Sequence, residues 1–184
     1  MKTIFKITVI LFVLANTAFA QKYITKNGKI SFYSDAPAEK IEALNNQVNT
    51  ALDVTTGELV FKVLIKSFEF KNALMQEHFN ENYMESDKFP TSTFKGKITN
   101  INEIDFTKNG KYKTQVEGEL MIHGVTKKIE QTGSFDIVDG KITATAKFNV
   151  ALKDYDIKIP STVVSNIAEI IEITVNVTME AVKK

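Results

Sequence analysis

The 184-residue chain has no cysteine and no tryptophan, three prolines and two histidines, and every basic residue in it is lysine. Each absence removes a class of protein. Without cysteine there is no disulfide framework, no thiol chemistry and no attachment point for a lipoprotein anchor, so packing and backbone hydrogen bonds must hold the fold. Without arginine the planar fork that reads phosphates and base edges is missing. The 23 basic and 22 acidic residues form no basic stripe, which excludes nucleic acid as a partner. No lysine cluster reads as a membrane-surface patch. Neither His78 nor His123 sits in a nucleophile motif such as G-x-S-x-G. Ser161-Thr162 after Pro160 reads as a turn or a short helix cap. The carboxylates alternate with lysines as a solvated strand face does, and no acid/base pair stands out. The chain is therefore read as no enzyme, with no cofactor. Glu77, His78 and Glu81 lie close together but lack a tight ligand pattern such as H-E-x-x-H, so no metal is expected. The sequon Asn176-Val177-Thr178 falls inside a strand pattern and carries no weight.

What is present begins with a leader. Lys2 and Lys6 precede a nearly unbroken apolar run from Ile7 to Leu14, and Ala18-Phe19-Ala20 supplies the small-x-small pattern read by signal peptidase. Cleavage is predicted after Ala20, giving a signal peptide over residues 1–20 and one domain over 21–184. The apolar run is too short for a permanent membrane span, and no second stretch approaches that length. Once the leader and its two lysines are gone, acidic residues outnumber lysines by one. An exported monomer or homodimer, with no stable membrane span after cleavage, is expected.

Period-two alternation dominates the rest. Tyr23 to Ala36 reads as a hairpin about Asn27-Gly28, and Asp35-Ala36-Pro37 as the opening of a short helical turn carrying Ile41 and Leu44. Val48, Thr50, Leu52 and Val54 alternate with polar residues, and after Thr56-Gly57 so do Leu59, Phe61, Val63 and Ile65. Phe68 and Phe70 fall on the other parity, which predicts a bulge or a strand end near Lys66-Ser67. Asn72 caps a predicted helix through Phe79, where Leu74 and His78, like Met75 and Phe79, stack four apart. Strands resume with Phe94, Gly96 and Ile98, continue from Lys111 to Met121, and turn at His123-Gly124 and at Asp139-Gly140. Ile171, Ile173, Val175, Val177 and Met179 form the last inward row. This is an all-β pattern, an antiparallel barrel or sandwich of about eight strands with a short flanking α-helix. Its apolar face carries Gly96, Gly118, Gly133, Ala144, Ala146 and Thr114. Small residues there either relieve curvature and fit a barrel taper, or leave room for a guest.

Three central segments carry a resemblance. Met75-x-x-His78-Phe79 is followed by Met84 to Pro90 and Thr93-Phe94. Gly118-Glu-Leu-Met-Ile-His123-Gly-Val-Thr-Lys127 comes next. Phe148-x-Val150 then precedes Asp154-Tyr155-x-Ile157-x-Ile159-Pro160. In this order and spacing they resemble the signatures of the YceI-like, lipid/polyisoprenoid-binding family, and Val175-x-Val177 fits its closing strand. The match runs from about Gly28 to the C-terminus, with Ala36 to Asn46 departing most from the pattern. The resemblance implies a lipocalin-like extended antiparallel β-barrel with a helix beside it, an elongated interior cavity, and a periplasmic or secreted location. It implies a binding protein whose partner is an isoprenoid or other long-chain amphipathic lipid. The expected cavity residues are Phe61, Phe94, Ala146, Phe148 and Ile173 along the barrel. Met75, His78 and Phe79 join them from the helix, with His78 as the polar exception facing a head group. Two other readings stay open at this point: a filled barrel serving as an envelope stress or interaction protein, and an enzyme acting on a bound lipid.

Overall fold

Inward rows of Val, Ile, Phe and Leu separated by Lys, Glu, Thr and Asn give each strand one face to bury and one to wet, and a closed barrel is the arrangement that leaves no edge. The computed structural model describes residues 21–182; the expected leader lies outside the described residues. The strands are β1 (Lys22–Asp35), β2 (Lys40–Asp53), β3 (Glu58–Leu64), β4 (Phe68–Phe70), β5 (Thr91–Ile98), β6 (Gly110–Ile122), β7 (Val125–Val138), β8 (Lys141–Ala151) and β9 (Ile170–Ala181). Helix α1 (Ala73–His78) stands between β4 and β5. Neighbours follow the order β1-β9-β8-β7-β6-β5-β3-β2, and β2 pairs back with β1, closing eight antiparallel strands. The ninth, β4, continues the place of β3 along β2 at Ala43–Asn45.

Two local expectations are corrected. Asn27-Gly28 makes no turn: β1 runs through it as one strand paired with β2 from Lys22↔Asp53 to Asp35↔Lys40, with register shifts on either side of Gly28. Gly28 serves close packing instead, because a Cβ there would stand 2.8 Å from Val177 Cγ2. The pairing available along a 14-residue strand outweighs a local turn preference. The helical turn expected from Asp35 is also absent; a tight turn (Ala36 N–H to Glu39 O, 3.1 Å) sends the chain straight into β2, where Ile41 and Leu44 are strand residues. The parity slip at Lys66-Ser67 is a single 3₁₀ turn, Ile65–Ser67, between β3 and β4. Asp139-Gly140 does turn, with φ of 49° and 76° as the tight hairpin geometry requires.

The two ends of the barrel differ. At the end holding Lys22 and Ala181, the interior is filled by Leu52, Ile98, Ile137, Ile142, Val177 and Met179, all at most 1 % exposed. The β5–β6 connection closes it from below with buried Ile104 and with Phe106, whose ring lies 6.3 Å from that of Phe135. At the other end, α1 and the π-helical turn Phe79–Tyr83 lean against the wall through a knot of phenylalanines. Phe79 lies 5.0–5.6 Å, centroid to centroid, from Phe32, Phe68 and Phe70. The Asn72 carboxamide oxygen accepts the Leu74 N–H at 2.9 Å, as the cap predicts.

Candidate functional site

The second end of the barrel is hollow. A cavity of about 370 Å³ opens inside it, and its wall gathers Phe61, Phe94, Ala146, Phe148 and Ile173 from the strands with Met75, His78 and Phe79 from the helical side. The eight residues singled out from parity and motif thus surround one space. His78 is exposed at the rim, while Glu77 and Glu81, its neighbours on the helix, line a shallow surface groove with Lys66, Lys71 and Asp87. The wall is predominantly aliphatic and aromatic, with hydroxyl and amide side chains between; its ionisable side chains are Glu39, His78 and Tyr83. Glu39 belongs to the rim as well, accepting a hydrogen bond from the Asn166 side chain at 3.3 Å.

The small inward residues divide into two uses. Gly96 and Gly118 face each other across β5 and β6. A Cβ on Gly96 would come within 2.4 Å of Phe94 Cζ, and one on Gly118 within 2.9 Å of Phe94 Cε2. That ring therefore lies flat over the glycine pair, and these glycines are its floor. Thr114, Gly133 and Ala146 form one cross-strand row on β6, β7 and β8. All three line the cavity, and at Gly133 the Thr145 carbonyl oxygen, 2.6 Å from where a Cβ would stand, leaves room for glycine alone.

The hydrogen-bond ladder is interrupted beside that row. β6 and β7 pair along their full length, as do β8 and β9. β7 and β8, however, pair only from Val138↔Lys141 to Gly133↔Ala146. Beyond that rung, residues 125–132 and 147–151 turn unpaired edges toward each other. The Ser134 and Thr145 hydroxyls, 2.8 Å apart, clasp the outer side of the last rungs. Thr132, Ser134 and Thr145 have outward parity and still border the cavity, which therefore reaches into the split between the strands.

Loops that carry no periodic signal finish the mouth. After β8 the 3₁₀ turn Leu152–Tyr155 folds back, and Tyr155 and Ile157 bury themselves with Ile65, Met84 and Val150. His123 ties this cap together. Its Nδ1 lies 3.1 Å from the Tyr155 carbonyl oxygen, its Nε2 lies 2.9 Å from Glu85 Oε2, and the Phe89 ring meets it edge-on at 4.6 Å. His123 and Glu85 both hold positive φ, 51° and 41°, so backbone strain is stored at this junction. Burial, then the Asp154 carboxylate, raises the Tyr155 hydroxyl above the ordinary tyrosine range, keeping it a neutral donor. Val163, Asn166 and Ile167 complete the wall, held over the β1–β2 turn by Ala168 N–H to Ser34 Oγ at 2.9 Å and Ala38 N–H to Ser165 O at 2.9 Å. Sequence reasoning missed Val163, Asn166 and Ile167, since a contact made by one irregular segment leaves no period to read.

No curated protein matches the chain in sequence. Among solved structures, a polyisoprenoid binding domain from Saccharophagus degradans, implicated in plant cell wall breakdown, superimposes with a TM-score of 0.73 at 12 % identity, covering 89 % of this chain and 99 % of that one. BcnA of Burkholderia cenocepacia gives a TM-score of 0.64 at 13 % identity over 82 % of this chain and 95 % of its own. The YceI protein of Campylobacter jejuni gives 0.57 at 17 % identity over 100 % and 94 %. At such identities these likenesses establish the barrel alone. The family model for the YceI-like domain matches residues 22–179, almost every described residue, and the chain belongs to the YceI-like family.

Proposed function

We propose that this protein binds one lipid-like chain, an isoprenoid or another long amphipathic molecule, inside the hollow half of its barrel, and that it does so outside the cytoplasm after removal of residues 1–20. The observation that carries the reading is the pairing of a filled end with an apolar cavity in the same barrel. The family, and the polyisoprenoid binding domain among its structural neighbours, support the same ligand class. Burial at roughly 0.8 kcal/mol per methylene gives a ten-carbon segment on the order of 8 kcal/mol before ordering costs. Affinity then needs no charged contact. The volume, about 370 Å³, is near the lower end of small-molecule pockets, roughly 300–1,000 Å³. A longer chain would therefore extend past the mouth or into the split between β7 and β8. Phe61, Phe94, Phe148, Ile173, Met75 and Phe79 supply the apolar contact, Ala146 leaves space, and His78 meets a polar head at the rim. Catalysis is not part of the proposal; the ionisable side chains of the wall are Glu39, His78 and Tyr83.

The test is mass spectrometry of organic extracts of the protein purified from its native envelope. One long-chain amphiphile at close to one molecule per protein is expected. Protein that arrives without any lipid, and takes up none from added isoprenoid alcohols, sinks the reading.

A further inference from the structure

At the floor of the cavity stands Thr114, 4 % exposed, at the point where β6 crosses the filled half of the barrel. Its hydroxyl makes no hydrogen bond to any described residue, and it lines the cavity, unlike the Thr50 hydroxyl, which is buried without a partner elsewhere in the barrel. Its neighbour across the strand pair carries no side chain. A Cβ on Gly133 would stand 3.2 Å from Thr114 Oγ1, 3.3 Å from Ala146 Cβ and 2.6 Å from the Thr145 carbonyl oxygen, so only glycine fits beside the hydroxyl without displacing backbone. Diagonally across the same strand pair, Gln131 also lines the cavity, its carboxamide hydrogen-bonded to no described residue. A buried hydroxyl without a partner costs about 1–3 kcal/mol, and valine has the same shape without that cost. The ionisable wall residues, Glu39, His78 and Tyr83, come from the β1–β2 turn and the helical side, not from this floor.

Resting on the lipid-binding reading, we infer that the niche of Thr114, Gly133, Ala146 and Gln131 is a polar subsite for a neutral oxygen function, a carbonyl or a hydroxyl, carried on the buried part of the ligand. The chemistry excludes a phosphate or carboxylate at this depth, since no lysine lines the cavity and His78 stands at its rim, leaving nothing here to offset the desolvation of an anion. The ligand is then a chain with an uncharged polar group at its leading end, not a plain hydrocarbon tail reaching the floor. Thr114 donates to that oxygen or accepts from it, and Gln131 offers both roles.

The experiment uses two fluorescent probes of equal length, a pyrene-labelled chain ending in a methyl ketone and the same chain ending in a methyl group. Each is titrated into wild type, Thr114→Val and Thr114→Ser, with circular dichroism to confirm the fold. Wild type should prefer the ketone by about tenfold, the return of one hydrogen bond. Thr114→Val should abolish the preference while holding the methyl probe as well or better, and Thr114→Ser should keep it. Equal affinities in wild type, or a preference that survives Thr114→Val, overturn the inference and leave the lipid-binding reading standing. Failure of both probes to bind any of the three proteins overturns the two together.

Discussion

The two halves of the barrel are built from the same alternating strands and do opposite things with them. In the half nearer Lys22, Leu52, Ile98, Ile142 and Met179 meet in the middle and every strand pair is bonded. In the other half, the inward rows end in Phe148, Ile173, Phe61 and Ala146 without meeting, and β7 parts from β8. The difference teaches that the inward face of a strand is not by itself a core. Whether it becomes one depends on whether opposite rows have the volume to touch, and in the hollow half Gly133 and Ala146 withhold it.

The largest expected effects come from truncation on the two sides. Ile142→Ala should cost about 2–5 kcal/mol, read by thermal or urea unfolding with circular dichroism, because it opens a void in a close-packed site. Phe148→Ala, on a cavity wall that is already open, should cost about 1–2 kcal/mol and weaken capture of a fluorescent lipid instead. Equal stability losses at the two positions break the comparison.

Small-to-large changes sharpen it. Gly96→Ala would drive a methyl to within 2.3 Å of the Glu117 carbonyl oxygen and 2.4 Å of Phe94 Cζ, at a cost of about 1–3 kcal/mol. Ala146→Phe adds far more volume, yet it should leave the melting temperature nearly unchanged while lipid uptake falls. A strongly destabilised Ala146→Phe with no lipid bound by either protein points to a filled barrel.

The cap of the hollow half depends on one side chain. His123→Ala leaves the Tyr155 carbonyl and the Glu85 carboxylate without a partner, which should lower stability by about 1–2 kcal/mol. Lipid exchange in a stopped-flow transfer assay should quicken, as the segment at Tyr155 loosens. A variant as stable as wild type with unchanged exchange would show that the three loops hold without this tie.

The smallest effect concerns the ladder. Amide hydrogen exchange should be faster for residues 125–132 and 147–151 that face the split than for residues 133–138 and 141–146, where the same two strands are bonded. Uniform protection along both strands would mean that the edges are paired in solution.

Much of this was legible in the sequence where one period runs without interruption. β6 to β9 follow their alternation residue by residue, and their parity placed Phe148, Ile173 and Ala146 on the wall. The helix was legible because Asn72 has a capping side chain and Met75 and Phe79 are four apart. Asn27-Gly28 and Asp139-Gly140 carry the same turn signal, and only the second turns, because 14 residues of β1 find a partner in β2 on both sides of the first. Parity could not say whether small residues were floor or space. Gly96 and Gly118 are floor because Phe94 folds over them, whereas Gly133 lies on the cavity wall with the Thr145 carbonyl oxygen, not a ring, as the nearest atom to its missing Cβ. The loop residues Val163, Asn166 and Ile167 were invisible, since tertiary contact alone brings them to the mouth.

The central claim is that a chain occupies one half of the barrel and not the other. Isotope-filtered NOE spectra of methyl-labelled protein with an unlabelled long isoprenoid alcohol test it directly. Contacts from the alcohol to the methyls of Met75, Leu120, Ile129 and Ile173, with none to Leu52, Ile98, Ile142 or Met179, are the predicted result. Contacts along both halves, or to exposed methyls such as Leu74 and Val164 alone, would contradict it.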